Sequence, residues 1–177
     1  MIGYALTGSF CTIGKSIEIM RNLVKRGNDI LPIMSDNAYS ISTRFGDVNS
    51  IREEINNICG REIIHTIEKA EPLGPSIKLD ALIIAPCTGN TLSKIANGIT
   101  DTAVCMASKA HLRNNRPLII TLATNDGLSA NLKNIATLLS RKNVYFTPMI
   151  QDDPINKMLP VRNNHISSGS KLLALRF

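Results

Sequence analysis

The chain has 177 residues, a formal net charge of +6, 44% apolar residues, 4% aromatic residues and no Trp. That apolar fraction excludes a disordered chain, the length suits one domain with a sizeable core, and the shortage of aromatic rings argues against a nucleic-acid surface built on base stacking. Cys11, Cys59, Cys87 and Cys105 form no C-x-x-C pair, and no His stands at metal-ligand spacing, so neither a disulfide framework nor a metal site is expected.

Ile2–Leu6 is a short apolar run that predicts a first strand, broken by Thr7-Gly8-Ser9. Ile17, Met20 and Val24 mark one face of a helix that Gly27 ends. Asp29–Met34 predicts a second strand, and Pro32 inside it argues for an edge or a bulge. Residues 35–46 lack a clear period and read as a loop or a short irregular helix. Val48, Ile51, Ile55 and Ile58 recur at helical spacing, with Gly60 as the stop. Glu62–Ile67 predicts a third strand, and Glu71–Pro75 a rigid loop of two prolines around a glycine.

Ala81–Ala85 then predicts a buried strand ended by Pro86, which cannot donate to a ladder. Thr88, Gly89, Asn90 and Thr91 form a small polar loop, and Leu92, Ile95 and Ala96 a helix stopped by Gly98; Asn90 or Thr91 is the expected cap. A helix over 102–112, a strand over Leu118–Ala123, a helix over Asn131–Leu139 and a strand over Val144–Phe146 complete the alternation. Strands and helices in turn predict a three-layer α/β domain of Rossmann-like or flavodoxin-like type, a mostly parallel sheet with helices on both faces. The domain is placed at residues 1–155. Residues 156–177, with Pro160 and the polar run 163–170, lose the pattern and read as an irregular, mobile tail whose basic residues form a solvated face.

Ligands of open α/β sheets bind at the carboxyl ends of strands. Two loops there carry suitable residues. Gly8 permits close backbone approach and Ser9 can donate to an anion at a helix N-terminus, although a plain turn is the competing reading. The second is Pro86-Cys87-Thr88-Gly89-Asn90-Thr91, which presents N–H groups at the next helix start; Cys87 reads more readily as a small residue than as a reactive thiol. Gly14-Lys15-Ser16 imitates the end of a P-loop, but the leading glycine would have to be residue 9, which is Ser9. No G-x-G-x-x-G is present for a dinucleotide. His65, in a predicted strand, reads as structural, and His111 and His165 lack acidic or cysteine neighbours. No signal segment or run of about 18 apolar residues is seen, so a cytoplasmic protein is expected.

Pro86, Asn90, Thr91, Lys94, Ala96 and Gly98, with Asp101 close behind, resemble the Pro-x-x-x-Asn-Thr-x-x-Lys-x-Ala-x-Gly-x-x-x-Asp signature of the homo-oligomeric flavoproteins that include phosphopantothenoylcysteine decarboxylase. The segments 42–46, 70–75, 123–126 and 143–148, with Gln151-Asp152, resemble more closely the B-type chains of the dipicolinate synthase family, over residues 2 to 155. The resemblance implies FMN as cofactor, held by Thr7, Gly8, Ser9 and Ser35 at its phosphate and by Pro86, Cys87, Thr88, Asn90 and Thr91 near its ring. The Asn90 amide, which both donates and accepts, suits the polar ring edge. It implies a sporulation oxidoreductase of the mother cell that oxidises a tetrahydrodipicolinate precursor to dipicolinate. Its implied partner is the A-type chain of dipicolinate synthase, the source of any NAD(P). Arg44 is the candidate clamp for this cyclic dicarboxylate. Homo-oligomers are implied, with no nucleic acid, membrane or metal. Catalytic residues stay unassigned, because the family's decarboxylase His falls on Ser76, which cannot titrate near neutrality. A noncatalytic flavin-binding partner and a decarboxylase or prenyltransferase of the same fold remain as alternatives. The family also implies a further helical segment where this chain's tail loses its period.

Overall fold

The computed structural model describes residues 1–151 and 161–162. Five parallel strands form the sheet: β1 (Ile2–Leu6), β2 (Ile30–Met34), β3 (Ala81–Cys87), β4 (Leu118–Leu122) and β5 (Val144–Phe146), in the order β2-β1-β3-β4-β5. The helices are α1 (Phe10–Lys25), α2 (Asp36–Ser40), α3 (Val48–Cys59), α4 (Ile67–Ala70), α5 (Gly89–Ala96), α6 (Ala103–Leu112) and α7 (Leu132–Leu139). A separate antiparallel pair, β6 (Ile150–Gln151) and β7 (Val161–Arg162), stands apart from the sheet. β7 falls inside the segment expected to be irregular. The rest of that tail, the expected mobile run 163–170 included, lies outside the described residues.

The period of two along each strand decides the layers. Tyr4 and Leu6 of β1 face a core shared with Ile13, Ile17 and Met20 of α1 and Ile55 of α3. Ala5, with Leu82 and Ile84 of β3 and Leu118, Ile120 and Leu122 of β4, faces the larger core against α5, α6 and α7. Each large apolar side chain there stabilises the fold by roughly 1.5–3 kcal/mol through burial, so a one-residue slip of any central strand would exchange the two cores. Pro32 sits on the edge strand as expected. On that edge Pro32 O and Met34 N bond Ile64 rather than a full strand, so the missing N–H costs no ladder bond.

Two expectations are corrected. Glu62–Ile67 is not a strand: only Ile64 bridges β2, through Ile64 N to Pro32 O at 2.9 Å and Met34 N to Ile64 O at 2.8 Å. Beyond it Thr66 stands at the N-cap position of the one-turn helix α4, without a side-chain cap bond, and the chain leaves the sheet after a single bridge. Nor does Pro86 end β3, which runs to Cys87. The pairing with β4 shifts register between Ile84 and Cys87, and this irregularity absorbs the residue without an N–H. The segment after β2 contains the short helix α2, and Gly60 and Gly98, at φ 65° and 74°, end their helices in the left-handed region.

Candidate functional site

The sheet order reverses between β1, which crosses over to β2, and β3, which crosses over to β4. The crevice at such a switch point is where an open α/β sheet accepts a ligand. The loops there are joined in a row. Ser35 N donates to Leu6 O at 3.0 Å, Thr7 N to Pro86 O at 3.1 Å, and Ala123 N to Cys87 O at 2.8 Å. Residues 7–9, 35, 86–91 and 123 onward thus share one edge of the molecule, as the sequence led us to expect of the first three groups.

Their side chains have different duties. Thr7 is fully buried; its hydroxyl donates to Pro86 O at 2.8 Å and accepts from Thr88 N at 2.9 Å. Its one proton is spent inside the fold, so Thr7 clasps β1 to β3 and has no hydroxyl proton left to donate to a ligand. Ser9 is the N-cap of α1 without a side-chain cap bond. Thr12 Oγ1 shares its single proton between Ser9 O at 2.8 Å and the Ser9 hydroxyl at 3.0 Å, an arrangement in which the Ser9 hydroxyl keeps its own proton to donate. The N–H groups of Phe10 and Cys11 in the same first turn have no acceptor among the described residues. Gly8 leaves room beside them: an added Cβ would meet nothing closer than 3.6 Å. The Ser35 hydroxyl is nearly buried and makes no cap bond to α2. Three N–H or O–H donors and a spare hydroxyl around a glycine at a helix N-terminus fit one phosphate group.

Across the crevice, Thr88, not Asn90 or Thr91, caps α5, accepting from Thr91 N at 3.3 Å. Asn90 is exposed, and its amide has no partner among the described residues. Cys87 is fully buried in the larger core, and burial pushes its thiol far above the ordinary range, so it behaves as a small apolar residue. Gly89 is pressed against the loop after β4. A Cβ there would lie 2.5 Å from Asn131 Nδ2 and 2.7 Å from Thr124 Oγ1. These belong to a polar network that sequence reading missed as a site feature. Thr124 Oγ1 donates to Asp126 Oδ1, Asn131 Nδ2 donates to the same oxygen at 2.8 Å, and Asn134 Nδ2 donates to Asn131 Oδ1 at 2.9 Å. The hydrogen bond from Thr124 holds the Asp126 carboxyl below its usual value against a smaller desolvation penalty, with a lesser contribution from Asn131. The Asp-Gly pair at 126–127, a turn dipeptide two residues after Thr124, was the available signal.

Arg44 stands apart. It is exposed in the loop between α2 and α3, with its guanidinium 4.9 Å from the centroid of the neighbouring Phe45 ring. Ser76 is exposed in the segment that leads into the amino end of β3, beside the C-terminal end of α6, away from the crevice of its own chain. His111 is buried, with Nε2 2.9 Å from Pro117 O, and burial lowers its pKa. His65 stacks on Tyr39 with 3.6 Å between ring centroids. Ser16 of the apparent P-loop ending is buried inside α1, where its hydroxyl donates to Ala85 O and meets Tyr4 OH at 2.9 Å; Gly14-Lys15-Ser16 is therefore helix and not a phosphate loop. No cluster of three or more potential metal ligands occurs among the described residues, and no described helix is long and apolar enough to cross a membrane.

Residues 1–167 match the family model described as Flavoprotein. The chain is 46% identical over 156 residues to the B subunit of dipicolinate synthase from Bacillus subtilis strain 168, covering 88% of this chain and 78% of that protein. It superposes with a TM-score of 0.83 on the crystal structure of the dipicolinate synthase B subunit from Bacillus halodurans C, at 39% identity, over 92% of this chain and 84% of that one. The FMN-dependent cysteine decarboxylase SpaF shares the fold, with a TM-score of 0.69 at 19% identity over 86% of each chain.

Proposed function

Since this chain belongs to the Flavoprotein family, we propose that it is the flavin-binding B-type chain of a dipicolinate synthase. With an A-type chain it oxidises a tetrahydrodipicolinate precursor to dipicolinate in the cytoplasm of a sporulating mother cell. The observation that carries this reading is the donor set at the start of α1, namely the Ser9 hydroxyl and the N–H groups of Phe10 and Cys11, across a switch-point crevice from the unpartnered amide of Asn90. Identity of 46% to a dipicolinate synthase B subunit supports the proposed substrate class.

In this reading the first turn of α1 and Ser35 hold the FMN phosphate. The α1 dipole favours the dianion, and no acidic residue in that turn opposes it. Asn90 meets the polar edge of the ring, and its exposure leaves that edge open to substrate. Thr7 and the Thr124–Asp126–Asn131 network touch no ligand; they fix the separation of the two loops. When bound, a flavin supplies a two-electron acceptor. Among the described residues, the Asp126 carboxylate at this edge is engaged by Thr124 and Asn131 and Cys87 is sealed in the core, which accords with a shared reaction in which the A-type partner brings the nicotinamide nucleotide. A homo-oligomer would cover a ring left open on one side, and Arg44, on an exposed loop, would then serve a neighbouring crevice or the A-type partner.

The test is twofold. Equilibrium dialysis of the purified chain against FMN should show saturable binding, lost in Ser9→Asp because a carboxylate there repels the phosphate. Ultraviolet assay of dipicolinate formation should find this chain inactive alone, active with its A-type partner, and impaired at least about 10-fold in the Asn90→Ala variant, the scale of one lost hydrogen bond to a ligand. Absence of any flavin affinity, or full turnover by the A-type partner alone, would overturn the proposal.

A further inference from the structure

The C-terminal ends of three helices meet at a second concavity. A cleft of about 320 Å³ lies between the ends of α5 and α6 and the residue Arg141, two places after α7. Ile95, Ile99 and Leu112 give it an apolar floor and one wall, while Lys109, Arg113 and Arg141 supply the charge. Its lining contains no carboxylate. The described ion pairs involve none of the three cations, and the neighbouring Asp101 is held by Lys94 Nζ at 2.8 Å.

Part of this charge answers the helix ends. Arg141 donates through Nη2 to Ala96 O at 2.7 Å and through Nη1 to Ile95 O at 3.3 Å, closing the last turn of α5. Those bonds use two of five guanidinium donors and fix the plane of the group at the rim. Lys109 and Arg113 are a different matter. Lys109 in α6 and Arg113 at its C-cap stand one turn apart, where like charges repel, and both line the cleft that Arg141 already charges. The helix dipole accounts for cations near a C-terminus, but it does not require three to converge on one apolar concavity. Ile99, 46% exposed, waits at the same rim for an apolar cover.

We propose that this cleft binds a small dianion with a flat apolar body, a ring dicarboxylate. One carboxylate takes the remaining Arg141 donors and the other takes Arg113 and Lys109; the ring covers Ile99 and rests on Ile95 and Leu112. The site is separate from the cofactor crevice. α5 starts at the crevice and ends at the cleft, and its eight residues span about 12 Å at 1.5 Å each. The lining itself calls for an anion with an apolar body, and the ring dicarboxylate is the member of that class the proposed function supplies. Its biological identity rests on the function proposed above, under which the cleft senses the product of the enzyme away from the crevice that makes it.

Isothermal titration of the full chain with pyridine-2,6-dicarboxylate tests this, with and without saturating FMN and with phosphate and benzoate as comparators. One equivalent should bind, unaffected by FMN and more tightly than either comparator. The exposed double substitution Lys109→Gln, Arg113→Gln should weaken binding about 30-fold or more, as expected for two charge-assisted contacts. Lys142→Gln, an exposed charge beside the cleft but not lining it, should change it less than about 2-fold. Lack of saturation, equal affinity for phosphate, competition with FMN, or equal losses in the two charge variants would each overturn the proposal. The measurement needs no turnover. Binding that persists in a protein unable to support dipicolinate synthesis would refute the proposed function and leave this inference standing.

Discussion

The loops after β1 and β3 face one another across the same crevice and are built on opposite terms. The loop after β1 is open. Its cap side chain leaves the helix N–H groups alone, its glycine has space around it, and its hydroxyl keeps a proton to give. The loop after β3 is closed. Thr88 caps α5, Gly89 is wedged against Asn131 and Thr124, and Cys87 is sealed in the core. Only Asn90 escapes this fixing. A ligand pocket needs both kinds of loop, one that leaves donors unspent and one that holds still so that a single side chain projects at a set place. Glycine serves both loops for different reasons, by admitting a ligand in one and a neighbouring loop in the other.

The difference can be broken by substitution. Gly89→Val carries the largest expected effect. Its side chain collides with a hydrogen-bonded network on both sides, and urea denaturation should show a loss of about 3 kcal/mol or more, whereas Gly8→Ala should stay within about 1 kcal/mol of the parent. Thr7→Val comes next. It removes the donor to Pro86 O and the acceptor for Thr88 N and should cost about 1–3 kcal/mol by the same measurement. Ser9→Ala should leave stability within about 0.5 kcal/mol, because the Thr12 hydroxyl retains Ser9 O at 2.8 Å, while FMN affinity falls about 10-fold in dialysis. The smallest effect is one of pH. Asp126 has a folded-state pKa below its unfolded value, so its contribution is fully present above the unfolded value near 3.9 and is lost as pH falls through the folded one. Melting temperatures measured from pH 5 to pH 2.5 should therefore fall less steeply in Asp126→Asn than in the parent.

The sequence made one of these two loops far easier to read than the other. Ile2–Leu6 and Leu118–Leu122 are apolar runs bounded by breakers, and burial on both faces of a parallel sheet leaves such runs no alternative. Gly8 and Ser9 were legible because an open loop depends on local chemistry. The closed loop depends on residues far along the chain. Nothing near Thr7 announces that its hydroxyl is spent on Pro86, 79 positions away, and nothing near Gly89 announces Asn131. Pro86 misled because the rule against proline in a strand assumes an unbroken ladder, and the ladder here shifts register at that point. Glu62–Ile67 misled because a short run of β-branched residues, Ile63-Ile64 with Thr66 and Ile67, suits a single bridge as well as a strand.

The position of β1 between β2 and β3 has a consequence for the order in which the molecule can come into being. Of the five sheet strands, the first to leave the ribosome is an inner one. It gains β2 early, yet its other edge stays bare until residues 81–84 follow, and the Thr7–Pro86 clasp must wait for Pro86. At ordinary synthesis rates of about 5–20 residues per second, some 80 residues take roughly 4–16 s. During that interval the donors of α1 already exist while the opposite wall of the crevice does not. Until Thr124, Asp126 and Asn131 have all emerged, only half of the crevice exists, so under the proposed function flavin loading belongs to the last stage of folding and not to its nucleus.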